Sequence, residues 1–306
     1  MDNFSIYKHM YLGIVHFKAF PQCVGGQGPI LETLRKIAED DFWTAVEVGW
    51  IKDVKVRHEV SKLLEVSHLK VCYATQPRIL GQKLNPSALD AAVRAKAIDN
   101  VKRGIDEAYQ LGASCVRVLS GKDPGDGNRE EAKKIFIDTL KEWCDYAQQQ
   151  GDIKVYMKIF DRDIDKAALI GHFKDAADVA EAVFQEYQNF GVLSDLSHFP
   201  LLRERPAEAI PLVKKYPLHF HIGNCVVADR SHFLYGDLQP RFGVPGGELD
   251  TPDVRDYFKL LLEHNLLDPD DKPVVSAEVR PLLAEETSEL ILANAKRVIK
   301  EAWASL

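Results

Sequence analysis

Short apolar runs alternate with longer amphipathic stretches along the whole chain. Residues 11–17 (YLGIVHF), 43–49, 69–75, 115–121, 155–160, 191–195, 218–223 and 273–279 each have the length and apolar content of a strand. Apolar positions at helical spacing follow them over residues 30–39, 54–66, 130–150, 176–190, 207–216 and 285–303. Asn85-Pro86-Ser87 reads as the cap of a long helix reaching Leu111, and Thr251-Pro252-Asp253 opens another, with proline in the first turn.

Eight strands in strict alternation with eight helices, without a break in composition, predict one domain over residues 1–306, a (β/α)8 TIM barrel. A doubly wound open sheet is the alternative and needs a glycine-rich phosphate turn after an early strand. Gly25-Gly26-Gln27-Gly28 lacks the G-x-G-x-x-G spacing and reads as a flexible connection. The stretch 224–250 is too long for a structureless loop in a compact domain. Its glycines point to an ordered lid or a partner-contacting loop.

Composition narrows the class. Of 306 residues, 46% are hydrophobic, enough for a full core, and a net charge of −7 argues against a nucleic-acid or anionic-membrane surface. Five scattered cysteines (Cys23, Cys72, Cys115, Cys144, Cys225) with no C-x-x-C pair fit reduced thiols in a cytoplasmic protein. No apolar run approaches the length of a membrane span, and no signal-peptide pattern opens the chain.

Candidate chemistry collects at the strand ends. His219 and His221 fall on one face of the strand LHFHIG, which packing alone explains poorly. His16, Gln76, Arg117, Ser120, Lys158, Asp161, Asp195, His198, Asn224 and Glu278 close or follow other strands. In a (β/α)8 barrel all of these ends converge on one mouth. Asp195, His221 and Glu278, at the ends of three consecutive strands, are an oxygen and nitrogen set suited to Mn²⁺, Mg²⁺, Co²⁺ or Zn²⁺. A buried hydrogen-bonded network without metal is the other reading of the three. Arg117, Lys122 and Arg241 are cations able to meet an anionic group.

These residues make the chain resemble the sugar-phosphate isomerase/epimerase superfamily of xylose-isomerase-like barrels. The resemblance rests on Val118-Leu119-Ser120-Gly121, Phe160-Asp161-Arg162-Asp163, Asp195-Leu196-Ser197-His198, His219 to Asn224, Gly236-Asp237 with Arg241-Phe242-Gly243, and Ser276-Ala277-Glu278-Val279. It implies a divalent metal on Asp195, His221 and Glu278, with His198 touching substrate. The chain departs from the pattern in three places. Lys158 stands where the resemblance expects a fourth ligand, a glutamate that also moves the proton. Val226 and Val227 occupy the region of an expected arginine, and Gln239 that of an expected histidine.

The function implied is a sugar isomerase or epimerase that removes a proton next to a carbonyl, with Glu278 and Lys158 as catalytic groups. His16, Gln76, His198, Asn224 and Arg241 would bind the sugar. The alternatives are a lyase that expels a β-substituent and a sugar-binding protein without turnover, for which Lys158 and Gln239 are the motive. Lys158 is expected to weaken the metal, with its ammonium at or beside the metal position. The resemblance adds a homo-oligomer, while the acidic net charge argues against nucleic acid and membrane as partners.

Overall fold

The computed structural model describes residues 5–306. Eight parallel strands, β1 (Tyr11–Val15), β2 (Ala45–Val48), β3 (Lys70–Ala74), β4 (Cys115–Val118), β5 (Lys154–Lys158), β6 (Phe190–Asp195), β7 (Leu218–Gly223) and β8 (Val274–Glu278), pair in chain order and close into a barrel. An outer helix follows each strand: α1 (Ile30–Ala38), α2 (Val54–Ser67), α3 (Ala91–Gln110), α4 (Arg129–Gln148), α5 (Phe173–Phe184), α6 (Pro206–Val213), α7 (Thr251–Glu263) and α8 (Ser288–Ala304). The fold is the expected (β/α)8 barrel.

Side-chain alternation along each strand divides the interior in two. Ile14, Val46, Val71, Val116, Val155, Val192, Phe220 and Val275 belong to the large apolar core shared with the helices. The inward set is polar towards the C-terminal ends, with Glu47, Arg117, Lys158, Asp195, His221, Ser276 and Glu278 all buried. A lower interior layer holds Ala45, Cys72, Cys115, Tyr156, Leu193 and Val274.

Several boundaries differ from the sequence expectation. The first strand stops at Val15, because His16–Ala19 turns into a short helix and Pro21–Cys23 into a 3₁₀ turn. Asn85 is not a helix cap. Its side chain accepts from the Ser87 amide and hydroxyl in a turn, and Asp90 caps α3 through the Ala92 and Val93 amides. The helix expected over 176–190 ends at Phe184, which leaves Phe190 to open β6. Thr287 caps the last helix, which starts at Ser288.

Residues 224–250 contain no helix or strand among the described residues, yet they are well tied. Asn224 accepts from the Leu249 amide and donates to the Arg241 carbonyl, clamping both ends. Val226, Leu234 and Val244 form a small apolar cluster with Leu282 and Leu283 from the loop after β8. Gly223 is needed at the hinge: a Cβ there would lie 2.2 Å from Gln239 Oε1 and 2.7 Å from the Glu278 carbonyl. The five cysteines are free and buried. No helix among the described residues is long and apolar enough to cross a membrane.

Candidate active site

Four consecutive strands deliver a charged cluster to the C-terminal mouth. Lys158 Nζ, from β5, lies 2.8 Å from Asp195 Oδ2 and 2.7 Å from Glu278 Oε2. It lies 3.4 Å from Nδ1 of His221, which itself meets Glu278 Oε2 at 2.6 Å. The other oxygen of Asp195 accepts from the Ser197 amide and hydroxyl, which fixes the carboxylate plane. The other oxygen of Glu278 is met at 3.0 Å by Lys18, a partly exposed residue on the short helix after β1.

Beneath this cluster lies Glu47 of β2, fully buried. Its carboxylate receives Arg117 Nε at 2.6 Å, His219 Nε2 at 2.8 Å and His221 Nε2 at 3.0 Å. Arg117 also brings an Nη1 donor to 2.8 Å from His221 Nε2. That contact favours a neutral ring, since arginine only donates. Burial, the largest effect, also disfavours the charged ring, as do the Lys158 and Arg117 charges, but the carboxylates around it, Glu47 foremost and Asp195 with it, raise the His221 pKa to about 9. Burial alone would raise the carboxyl groups and lower the lysine. The ion pairs reverse both effects: Asp195 and Glu278 are held below the usual carboxylate range by Lys158, and Lys158 is raised by Asp195 and Glu278. Glu47 is likewise held low by Arg117 and the two histidines against its burial.

A cavity of about 320 Å³ opens beside the cluster, large enough for a small sugar. Phe17, Lys18, Gln76, Arg117, Lys158 and Glu278 line it, together with Val24 and Gly25 of the glycine-rich loop. That loop is therefore part of the cavity wall. Gln76 is buried with both amide atoms unpartnered, and Arg117 Nη2 is unpartnered as well. These polar atoms are available to a ligand.

The other sequence candidates do not line this cavity. His16 bonds Thr33 Oγ1 at 2.8 Å, and burial lowers its pKa to about 3. Asn224 is spent on the loop clamp, and Arg241 pairs with Glu286 at 3.1 Å. His198 packs edge-on against Phe160, with both ring nitrogens unpartnered and Asp195 and Asp237 each 3.7 Å away. Ser120 accepts from the Ile170 amide, and Asp161 from the amides of residues 164 to 167. Both hold loops in shape. Gln239 donates to Ser197 and to Asp237, on the periphery of the cluster. Glu47 and Lys18 were not among the sequence candidates. The signal for Glu47 was a lone acid inside the apolar strand AVEV; Lys18 carried none.

The family model for the xylose isomerase-like TIM barrel matches residues 37–294. The chain belongs to this family. Solved structures share the fold at low identity. A D-tagatose 3-epimerase-like protein is 16% identical, with a TM-score of 0.71 over 97% of this chain and 99% of that one. The IOLI protein, solved with a binding zinc atom, is 17% identical, with a TM-score of 0.72 over the same shares. An AP endonuclease of family 2 from Brucella melitensis is 20% identical, with a TM-score of 0.69 over 93% of this chain and 97% of that one. No curated protein matches by sequence.

Within this xylose isomerase-like barrel, Asp195, His221 and Glu278 do form a group that could hold a divalent ion, their ligand atoms all lying within 4.8 Å of one another. The fit fails at the centre of the group. The ammonium of Lys158 contacts all three donor atoms, and it cannot share that position with a metal ion. The buried carboxylates also have cations of the chain against them: Arg117 meets Glu47, and Lys158 meets Asp195 and Glu278.

Proposed function

We propose that this barrel moves a proton next to the carbonyl of a small keto- or aldo-sugar, with Glu278 as the base and the Lys158 ammonium in the place of a metal ion. The contact between these two groups at the cavity wall carries the reading. Glu278 is the one carboxylate that lines the cavity among the described residues, and the cations around it keep it ionised at neutral pH. Lys158 donates to Glu278 and pairs with Asp195, and its ammonium lines the cavity, where it would meet the oxygen on which enolate charge develops. Gln76 and Arg117 Nη2 would hold hydroxyl groups, and Phe17 would face an apolar edge of the ring.

The same geometry bears on the reaction type. Inverting a carbon through two bases needs acid–base groups on opposite faces, separated by about two hydrogen-bond lengths, roughly 6 Å. Lys158 and Glu278 are 2.7 Å apart and sit on one wall. This supports a same-face proton transfer, as in aldose–ketose isomerisation, over two-base epimerisation. Elimination also needs only one base, so it is the second reading.

Incubation with a panel of aldoses and ketoses in D₂O tests the assignment. Deuterium at the carbon next to the carbonyl, with interconversion of aldose and ketose, is the expected result. An unsaturated or cleaved product assigns the lyase reaction. Binding of a sugar without exchange assigns a binding protein, and contradicts the proposal.

A further inference from the structure

Below the acid–base cluster the barrel holds a second set of ligand-type side chains. Cys72 on β3 and Cys115 on β4 are register partners, and His219 on β7 reaches them across the interior. The two sulfurs and a ring nitrogen of His219 all lie within 4.8 Å of one another, and all three residues are buried. The proton chemistry proposed above uses none of the three. A second cavity, about 350 Å³, opens at the opposite end of the barrel, where the strands begin, and reaches Cys115 and His219.

We propose that Cys72, Cys115 and His219 form a binding site for a thiophilic d¹⁰ cation, Zn²⁺, with its fourth position open to the lower cavity. Two thiolates and an imidazole are a soft donor set, distinct from the carboxylates of the upper mouth. His219 commits Nε2 to Glu47 at 2.8 Å, which leaves Nδ1 as the nitrogen free to bind. A metal-binding histidine commonly donates its other N–H to a carboxylate, and Glu47 supplies one here. Binding releases both thiol protons to solvent through the cavity. The ion's two positive charges are then cancelled by the two thiolates, so the buried layer gains no net charge. The ion ties β3, β4 and β7 together next to Glu47, whose Oε1 meets both His219 and His221. The lower site thereby steadies the floor of the upper one.

Cobalt is the probe. The chelator-treated, thiol-reduced protein is titrated with Co²⁺ and then with Zn²⁺. A thiolate-to-cobalt charge-transfer band that saturates at one ion per chain and is abolished by Zn²⁺ is expected. Cys72→Ser and Cys115→Ser, checked for folding by circular dichroism, should each weaken binding by at least about tenfold. Asp195→Asn, in the upper mouth, should leave the band unchanged. Absence of a thiolate band in the parent protein overturns the proposal, whatever the variants do. A band that survives both cysteine substitutions, or one lost in Asp195→Asn, overturns it as well.

Discussion

Replacing Lys158 by methionine keeps most of the side-chain length and removes the ammonium that meets Asp195 at 2.8 Å and Glu278 at 2.7 Å. Both carboxylates are buried, and breaking a buried pair by removing one partner costs about 3–5 kcal/mol. The pH dependence separates this cost from one of packing. In the parent protein the carboxylate pKa values are lowered and that of Lys158 is raised. Their contribution is therefore fully present between the unfolded carboxylate values, 3.8 and 4.5, and the unfolded lysine value, 10.5. It is lost only as pH falls through the depressed carboxylate values or rises through the raised lysine one. In Lys158→Met the two carboxylates lose their main stabilising charge, and burial pushes their pKa values above the unfolded ones. The folded variant then takes up a proton that the unfolded chain does not, so its penalty shrinks as pH falls. Urea denaturation of parent and variant at about pH 8, 6.5 and 5 gives the difference directly, with other titrating groups cancelling. A loss of about 3–5 kcal/mol at pH 8, narrowing by at least about 1 kcal/mol at pH 5, is expected. A loss under about 1 kcal/mol, or one independent of pH, refutes the picture of an ammonium balancing two buried carboxylates.

Further outcomes follow from individual residues. His16 has a folded pKa of about 3 against 6.5 unfolded, so stability is lost as pH falls from 6.5 towards 3. Between pH 6.5 and 5 this amounts to about 2 kcal/mol, and the acid limb of the stability profile should flatten in His16→Gln. Glu278→Gln should lower turnover by about 10²–10⁴-fold while the cavity still binds sugar, measured by calorimetry beside initial rates. Asn224→Ala removes the clamp at both ends of the loop that follows β7. A cost of about 2 kcal/mol is expected, with faster amide exchange confined to residues 225–249.

The barrel itself was legible because each parallel strand is a short apolar run bounded by a helical period. The ends of elements were less so. Periodicity does not distinguish a strand that continues through His16-Phe17 from one that turns there, and Asn85-Pro86-Ser87 has the chemistry of a cap but forms a turn five residues early. The convergence of Asp195, His221, Glu278 and Lys158 followed from strand order alone, since four adjacent strands must end at one mouth. Glu47 was hidden for the opposite reason. It sits on β2, across the barrel from β7, and its bonds to His219 and His221 join residues more than 170 positions apart. Asn224 and Arg241 fall in a polar segment near the mouth, but whether such side chains face a ligand or hold their own loop depends on backbone path. Here they hold the loop.

The most direct test concerns the position occupied by Lys158 Nζ. Equilibrium dialysis against Mn²⁺, an ion that prefers oxygen donors over the thiolates lower in the barrel, compares the parent with Lys158→Glu. The account predicts little or no bound Mn²⁺ in the parent and about one ion per chain in the variant, where a carboxylate replaces the ammonium among Asp195, His221 and Glu278. Full and equal occupancy in both proteins would contradict it, because a divalent ion would then share the mouth with Lys158.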